Sequence, residues 1–451
     1  MKPILHHQRT TARHATRRGS VLVVVLWIAI GMVGMALYFA DSMRLELRAA
    51  DNRAAGLGAD QAIEGAARYV SYVLSNYATN GVMPSLPTEL CAGVPVGDSR
   101  FWIIGRETNA TPSSVQPDHV TFGLIDEASK LNLNAASTNL LQWLPNMTMD
   151  LLQAIPDWRS TNSDNGTQLT YSMAQQPYQC KSAPFETVNE LRLVYGTSMD
   201  ILVGEDINRN GILDPNEKDL NGNGQCDPGL LEYFTVYSRE PNFNSDGMMR
   251  TNVNKATSLR PLLNSVFGSG RASQIMSKLG YSRTTTTLSL PGLLAFYLKS
   301  GMTSAEFSQV YTNVTVSTSA FKQGRVNINT ASLNVLTCLL GGDYGSAQQV
   351  VNYRLNNPAS MASISWIVDA LGPTSTAIQT LAAGDYITTL SYQCTADIAA
   401  VGPHGRGYRR VKFIFDVCDG APRVLYRQDL TGLGWALGED VRRAVIAQNT
   451  Q

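Results

Sequence analysis

Residues 21–40 read VLVVVLWIAIGMVGMALYFA, twenty positions without a charge, and no other feature constrains the fold of this chain as strongly. At 1.5 Å per residue a helix of that length spans a hydrocarbon core about 30 Å thick. Arg17 and Arg18 stand just before it, so the positive-inside bias keeps a short stub in the cytoplasm and sends the rest of the chain across. The run does not end in a turn. It continues as DSMRLELRAADNRAAGLGADQAIEGAARYVSYVLSN, rich in residues that favour helix. Ile63, Ala67, Val70, Leu74 and Tyr77 recur at spacings of three and four and line one face, while Arg53, Asp60, Glu64 and Arg68 fall elsewhere. A single helix over residues 20–76 would be about 85 Å long. Its first half would lie in lipid and its second on a sheet, with Pro84 and Pro87 closing it.

The formal charge is zero, 36 basic against 36 acidic residues. Lys2, Arg9, Arg13, Arg17 and Arg18 all precede Gly19, with no acid among them, so the remainder carries 31 basic residues against 36 acidic, a balance of −5. A basic stub on a mildly acidic body argues against a nucleic-acid coat. The cysteines are Cys91, Cys180, Cys226, Cys338, Cys394 and Cys418, with no C-x-x-C pair, so neither a zinc ribbon nor a redox dithiol is indicated. In an exported chain they are expected to form disulfides. Cys394 with Cys418 is one pairing suggested by two adjacent expected strands; buried thiols are the alternative.

Arg17-Arg18-Gly19, then Ser20 and the apolar run, resemble the leader of type IV pilin-like proteins. That resemblance implies cleavage by a prepilin peptidase between Gly19 and Ser20, with the hydrophobic helix retained. The alternative is an ordinary signal peptide cut after Ala36, leaving Leu37 first, although the apolar run exceeds a signal core. Most pilin-like subunits carry Glu at the fifth mature position; here it is Val24. An unpaired acid at mid-bilayer costs about 2.5–3.5 kcal/mol, so its absence suits a subunit with no neighbour ahead of it. In this respect the chain resembles minor pseudopilin K of type II secretion, a subunit with an unusually large head.

The head reads as α+β: the long pilin helix on a small antiparallel sheet, split by a large, mainly helical insert. Residues 100–104 read as a strand, with 119–125 as its partner; 385–396, 407–417 and 422–430 read as three more. The expected organisation is leader 1–19, helix 20–76, first part of the head sheet 77–126, insert 127–384 and closing strands 385–451. Within the insert, LNLNAASTNLLQWLP from Leu131, TNVNKATSLRPLL from Thr251 and VNINTASLNVLTCLL from Val326 form an irregular repeat. Asn134, Asn254 and Asn329 stand where a side chain can cap a helix. These units resemble the helix-hairpin-helix or SAM-like segments of the K pseudopilin insert, as do residues 124–134, 157–159 and 186–196.

Residues 206–217 match the calcium-loop pattern D-x-[DN]-x-[DN]-G-x5-E at every fixed place. Asp206, Asn208 and Asn210 offer oxygens at alternate positions, Gly211 permits the turn, Ile212 offers its carbonyl, Asp214 follows, and Glu217 closes bidentately. Hard oxygen donors of this kind suit Ca²⁺. The pattern recurs as Asp219, Asn221, Asn223, Gln225 and Asp227, but its twelfth place is Leu230, so Glu232 or the neighbouring site would have to close it. Together they make a calcium loop over 206–227; a polar loop without metal is the alternative. The resemblance likewise implies calcium in this insert.

Helix-hairpin-helix units raise DNA binding, which needs a glycine hairpin and basic flanks. Residues 144–148 lack the glycines and 341–345 carry Asp343, so packing is the expected role and no nucleic-acid partner is expected. Outside the leader only His119 and His404 remain, and no hydrolase or nucleotide motif is present. The chain therefore does not read as an enzyme. Asp126 and Glu127 are expected to bridge the sheet and the insert rather than to act as a catalytic pair. The resemblance implies a single-pass inner-membrane subunit with its head in the periplasm, starting or capping a secretion pseudopilus. Its implied partners are other minor pseudopilins and pseudopilus subunits, the prepilin peptidase, and the secreted substrate or outer-membrane channel; Gly31 and Gly34 would permit close helix approach. The rivals are an exported calcium-binding scaffold or adhesion protein and a DNA-uptake pilin.

Overall fold

The computed structural model describes residues 18–77, 81–109, 119–161, 165–244 and 246–448. The leader before Arg18 lies outside them. One helix, α1 (Arg18–Tyr77), contains Gly19 and Ser20 at its start. Its apolar residues from Val21 to Phe39 are bare, and by length and composition alone this helix can cross a membrane. A charged, exposed stretch with Asp41, Arg44, Glu46, Arg48, Asp51 and Arg53 follows. From Ala55 onward one face is covered: Ala59, Ala62, Ile63, Ala66, Ala67, Val70 and Leu74 are buried, while Asp60, Glu64 and Arg68 are exposed. Burying Ile63, Val70 and Leu74 contributes about 1.5–3 kcal/mol each.

After α1 the chain lays down β1 (Val94–Val96), β2 (Ser99–Ile104) and β3 (Ile125–Asp126). It then enters the insert through β4 (Leu131–Asn132), α2 (Thr138–Leu141), α3 (Met149–Arg159), α4 (Asn165–Ser172) and α5 (Met199–Val203). β5 (Phe234–Thr235) returns beside β4, in parallel. After β6 (Arg239–Pro241) a second unit runs β7 (Thr251–Asn252), α6 (Ala256–Leu279), α7 (Leu293–Ser300), α8 (Ser304–Val310) and β8 (Val314–Thr315), which pairs in parallel with β7. β9 (Phe321–Gln323) pairs with β6. The third unit runs β10 (Val326–Asn327), α9 (Leu333–Leu339), α10 (Tyr344–Asn356), α11 (Trp366–Leu371), α12 (Thr376–Ala382) and β11 (Ile387–Thr388), again parallel to its first strand. The chain finishes with β12 (Gln393–Val401), β13 (Arg409–Asp416), β14 (Arg423–Asp429) and α13 (Gly438–Gln448).

The main sheet has the order β1-β2-β12-β13-β14, antiparallel throughout, with β3 on the end of β12. β12 is buried along its whole length. α1 covers one face; Ile212 and the C-terminal Ala436 and Leu437 cover part of the other, over Trp102, Ile104 and Val401. The turn after β12 rides directly on α1. A Cβ on Gly402 would sit 2.0 Å from the Ala55 carbonyl oxygen, and one on Gly407, at φ +67°, would sit 2.4 Å from the Ala55 carbonyl carbon.

Two strand expectations change. β2 pairs with β1 and β12; residues 119–125 reach it only through the bridge from Phe122 to Ile104. The strand expected over 385–396 is two, because β11 closes the third unit before β12 enters the sheet. The suggested Cys394–Cys418 bridge is absent: both are free thiols, and Cys394 lies opposite Phe415.

The three repeats share one geometry, and it is not the expected cap. In each, the first asparagine (Asn132, Asn252, Asn327) accepts the N–H two residues on, at 2.9–3.0 Å. The second grips a distant segment. Asn134 bonds both backbone groups of Phe185, Asn254 those of Leu290, and Asn329 the Met361 carbonyl and Trp366 indole. Arg159 and Arg354 donate to paired carbonyls at the start of units one and three; in unit two the Tyr281 hydroxyl donates to Val253 instead. Helix starts are capped by other residues, among them Thr148, Ser332 and Asp343.

Candidate metal centre

The two oxygen-rich loops have the same internal wiring. In the first, Asp206 accepts the N–H groups of Asn210 and Gly211, both at 2.9 Å. The side-chain amides of Asn208 and Asn210 converge on one oxygen of Asp214, at 2.6 and 2.8 Å. In the second, Asp219 accepts Gly222, Asn223 and Gly224, and Asn221 and Asn223 converge on Asp227 at 2.6 and 2.9 Å. Both backbones turn left-handed at the fourth and sixth positions: Arg209 and Gly211 in one, Gly222 and Gly224 in the other. Arg209 is the only non-glycine of the four, so its carbonyl, held by Arg106 and Arg410, keeps a turn that costs about 1–3 kcal/mol.

Closure differs. Glu217 accepts the N–H groups of Asn208 and Asp214 and so ties the first loop to itself. In the second loop Leu230 is fully buried, and Glu232 is engaged by Arg106 at 3.0 Å. A carboxylate outside both loop patterns is bonded to the second loop instead. Glu205, just before Asp206, accepts Leu220 at 2.7 Å and Asp227 at 3.1 Å. Sequence reasoning missed Glu205 because it precedes the pattern rather than falling within it.

Surroundings differ more. Asp206, Asn208, Asn210 and Asp214 are buried, whereas Asn221, Gly222, Asn223 and Gly224 are exposed. Arg410, fully buried and paired with both oxygens of Asp397, donates to the carbonyls of Asn208 and Arg209. Arg106 also donates to Arg209, and Asn208 donates to the Trp435 carbonyl. The first loop is thus clamped to the sheet. Burial pushes the Asp206 and Glu217 carboxyls up from their ordinary range. Asp219 is held down by backbone N–H groups, Gly224 first.

The residues of the first loop fit a hard cation. The Asn208 side-chain oxygen is buried without a partner, and three carboxylates are folded into one short segment at a cost that positive charge would offset. The two amides aimed at Asp214 stand in for that charge. Rotation of the Asn208 amide would turn its unpartnered oxygen toward the same point. Among the described residues no three His, Cys, Asp or Glu side chains form a ready metal cluster, so asparagine oxygens and the Ile212 carbonyl would have to complete the shell.

Asp126 and Glu127 do bridge sheet and insert. Asp126 accepts Asn327, Thr330, Ser391 and the Ala128 N–H. Glu127 accepts Thr235, Thr395 and Lys130. Burial opposes its charge, but Lys130 and Lys412 outweigh that and hold it at about 2. These two residues join units one and three to β12. His119 and His404 are exposed.

No family model matches this chain, and no curated protein matches it. Among solved structures it is similar to a chain in the crystal structure of the GspK-GspI-GspJ complex from the enterotoxigenic Escherichia coli type 2 secretion system. The identity is 9% and the TM-score 0.35, over 82% of this chain and 97% of that one.

Proposed function

We propose that this protein is a calcium-braced minor pseudopilin, anchored in the inner membrane with its head in the periplasm, that starts or caps a secretion pseudopilus. The observation that carries the reading is α1: one unbroken helix, bare and apolar at its start and buried against a sheet at its end. Such a rod both anchors a head and offers a lateral face to similar rods. Absence of an acid at Val24 suits a terminal position, and the insert between β3 and β12 would obstruct a head stacked above. Asp206, Asn208, Asn210, Ile212, Asp214 and Glu217 would hold the first Ca²⁺; Asp219, Asn221, Asn223, Gln225 and Asp227, closed by Glu205, the second. Bound calcium supplies the positive charge that lets ionised carboxylates stay buried. Arg106 and Arg410 pass the resulting rigidity to the sheet.

The test is extraction of the native protein from membranes with its neighbours. A mature chain beginning at Ser20 that co-elutes with other pilin-like subunits is expected. A freely soluble chain beginning at Leu37 would overturn the assignment in favour of an exported scaffold.

A further inference from the structure

A cavity of about 40 Å³ lies between the main sheet, α5 and the first loop. Four cations line it, Arg106, Lys130, Arg209 and Lys412, against three carboxylates, Asp206, Glu232 and Asp397. Most of these charges are already matched. Arg106 holds Glu232 at 3.0 Å, and Lys130 holds Glu127 at 3.1 Å. Asp397 is gripped through both oxygens by Arg410, and Asp206 accepts the N–H groups of its own loop. Arg209 and Lys412 are left over. Among the described residues neither side chain makes an ion pair or a hydrogen bond.

The register of the sheet explains why Lys412 has no acid. It stands across from Asp397 on β12 and from Gln428 on β14, and residues so paired share a face. Arg410, two residues earlier on β13 and so on that same face, claims Asp397, while Gln428 carries no charge. Burial above all, and then Lys130, lower the Lys412 ammonium to about 8, against the pull of Glu127, Asp397 and Glu232. Arg209 reaches the cavity from the first loop. Its Nε is buried with no acceptor, and a buried donor left unmet opposes folding. Its backbone is left-handed at φ +57°, where the second loop has Gly222. Glycine would adopt that conformation more readily, so the arginine is held there at a cost.

We infer that this cavity binds one small inorganic monoanion, such as chloride, between the Lys412 ammonium and the Arg209 guanidinium. Its lining carries one more positive charge than negative, which a single monovalent anion cancels. Size limits the class further. One water needs about 10–15 Å³ of such space, so 40 Å³ admits a chloride-sized ion with a water or two and leaves no room for a phosphate ester. Water alone could accept the Arg209 Nε–H but would cancel no charge, and buried charges persist where they are paired. The inference goes beyond the tip-subunit reading. An ion held here would tie β13 to the first loop by a link that neither Arg106 nor Arg410 supplies.

The experiment is thermal unfolding of the full chain in non-ionic detergent and calcium gluconate, with sodium gluconate replaced by sodium chloride at constant ionic strength. Gluconate is too large for the cavity. The midpoint should rise and saturate; at ten times the dissociation constant of chloride the folded-to-unfolded ratio should be about 11-fold higher. Lys412→Met and Arg209→Gly, each folded by circular dichroism, should lose the saturating part. A second readout needs no variant. The wild-type chain should broaden the ³⁵Cl resonance beyond the detergent blank, and added bromide should narrow it again. A rise that is linear in chloride and shared by both variants, or a ³⁵Cl line no broader than the blank, overturns the inference and leaves the cavity to water. Neither readout involves the neighbouring subunits, so the tip-subunit reading and this inference fail separately.

Discussion

Loops 206–217 and 219–230 have nearly the same backbone, the same paired amides on one aspartate and the same left-handed positions, yet one is buried and the other stands in solvent. The pattern of Asp, Asn and Gly fixes how such a segment turns. What the turn does depends on residues far away in the chain. Arg106 and Arg410 make the first loop part of the sheet, whereas the second is tied mainly to Glu205. Calcium in the first would therefore stiffen the whole head, and calcium in the second would order mainly itself.

The largest effect should come from cutting the clamp. Arg410→Met leaves Asp397 charged and unpaired inside the sheet, which costs about 3–5 kcal/mol, read by urea unfolding. Hydrogen exchange should rise in residues 206–212 and stay unchanged in 219–225; equal loosening of both loops would erase the distinction drawn above. The clamp is also acid-sensitive. Burial raises the Asp397 carboxyl, but Arg410 more than offsets this and holds it below its ordinary value. Its contribution is therefore complete above the usual carboxylate range and is lost as pH falls through the lower folded value. Arg410→Met should flatten that part of the stability–pH curve.

Calcium gives the next effect. At 100-fold over the dissociation constant of the first site it should add about 2.7 kcal/mol to unfolding stability. Asp206→Ala should remove this gain, while Asp219→Ala should keep most of it. If the two variants lose equal amounts, burial does not separate the loops.

Local pattern carried much of this architecture. The change of α1 from bare to buried was legible because apolarity around the whole helix gives way to a stripe at Ile63, Val70 and Leu74. β13 and β14 were legible from their flanking turns, at residues 402–405 and 419–420. The first loop was legible because its oxygen donors must be close in sequence to form the turn. Pairings across long separations were not. Nothing near residue 100 says that β2 will lie beside β12, and nothing near residue 206 announces Arg410. Asn134, Asn254 and Asn329 look like caps in a window of four residues. Their partners, Phe185, Leu290 and Met361, are tens of residues away.

The smallest effect tests the borrowed closure. Glu205 is buried and accepts two backbone N–H groups of the second loop, so Glu205→Gln should cost about 1–2 kcal/mol without metal. Its sharper consequence is stoichiometry by titration calorimetry. The wild-type chain should take two Ca²⁺ and the variant one, because the amide cannot supply the charge that Leu230 also lacks. The first site retains Glu217, so its affinity should change little. Glu232→Gln is the control, since Glu232 belongs to Arg106. If that change removes the second site while Glu205→Gln leaves both, closure comes from the C-terminal side after all, and the two loops are more alike than their surroundings suggest.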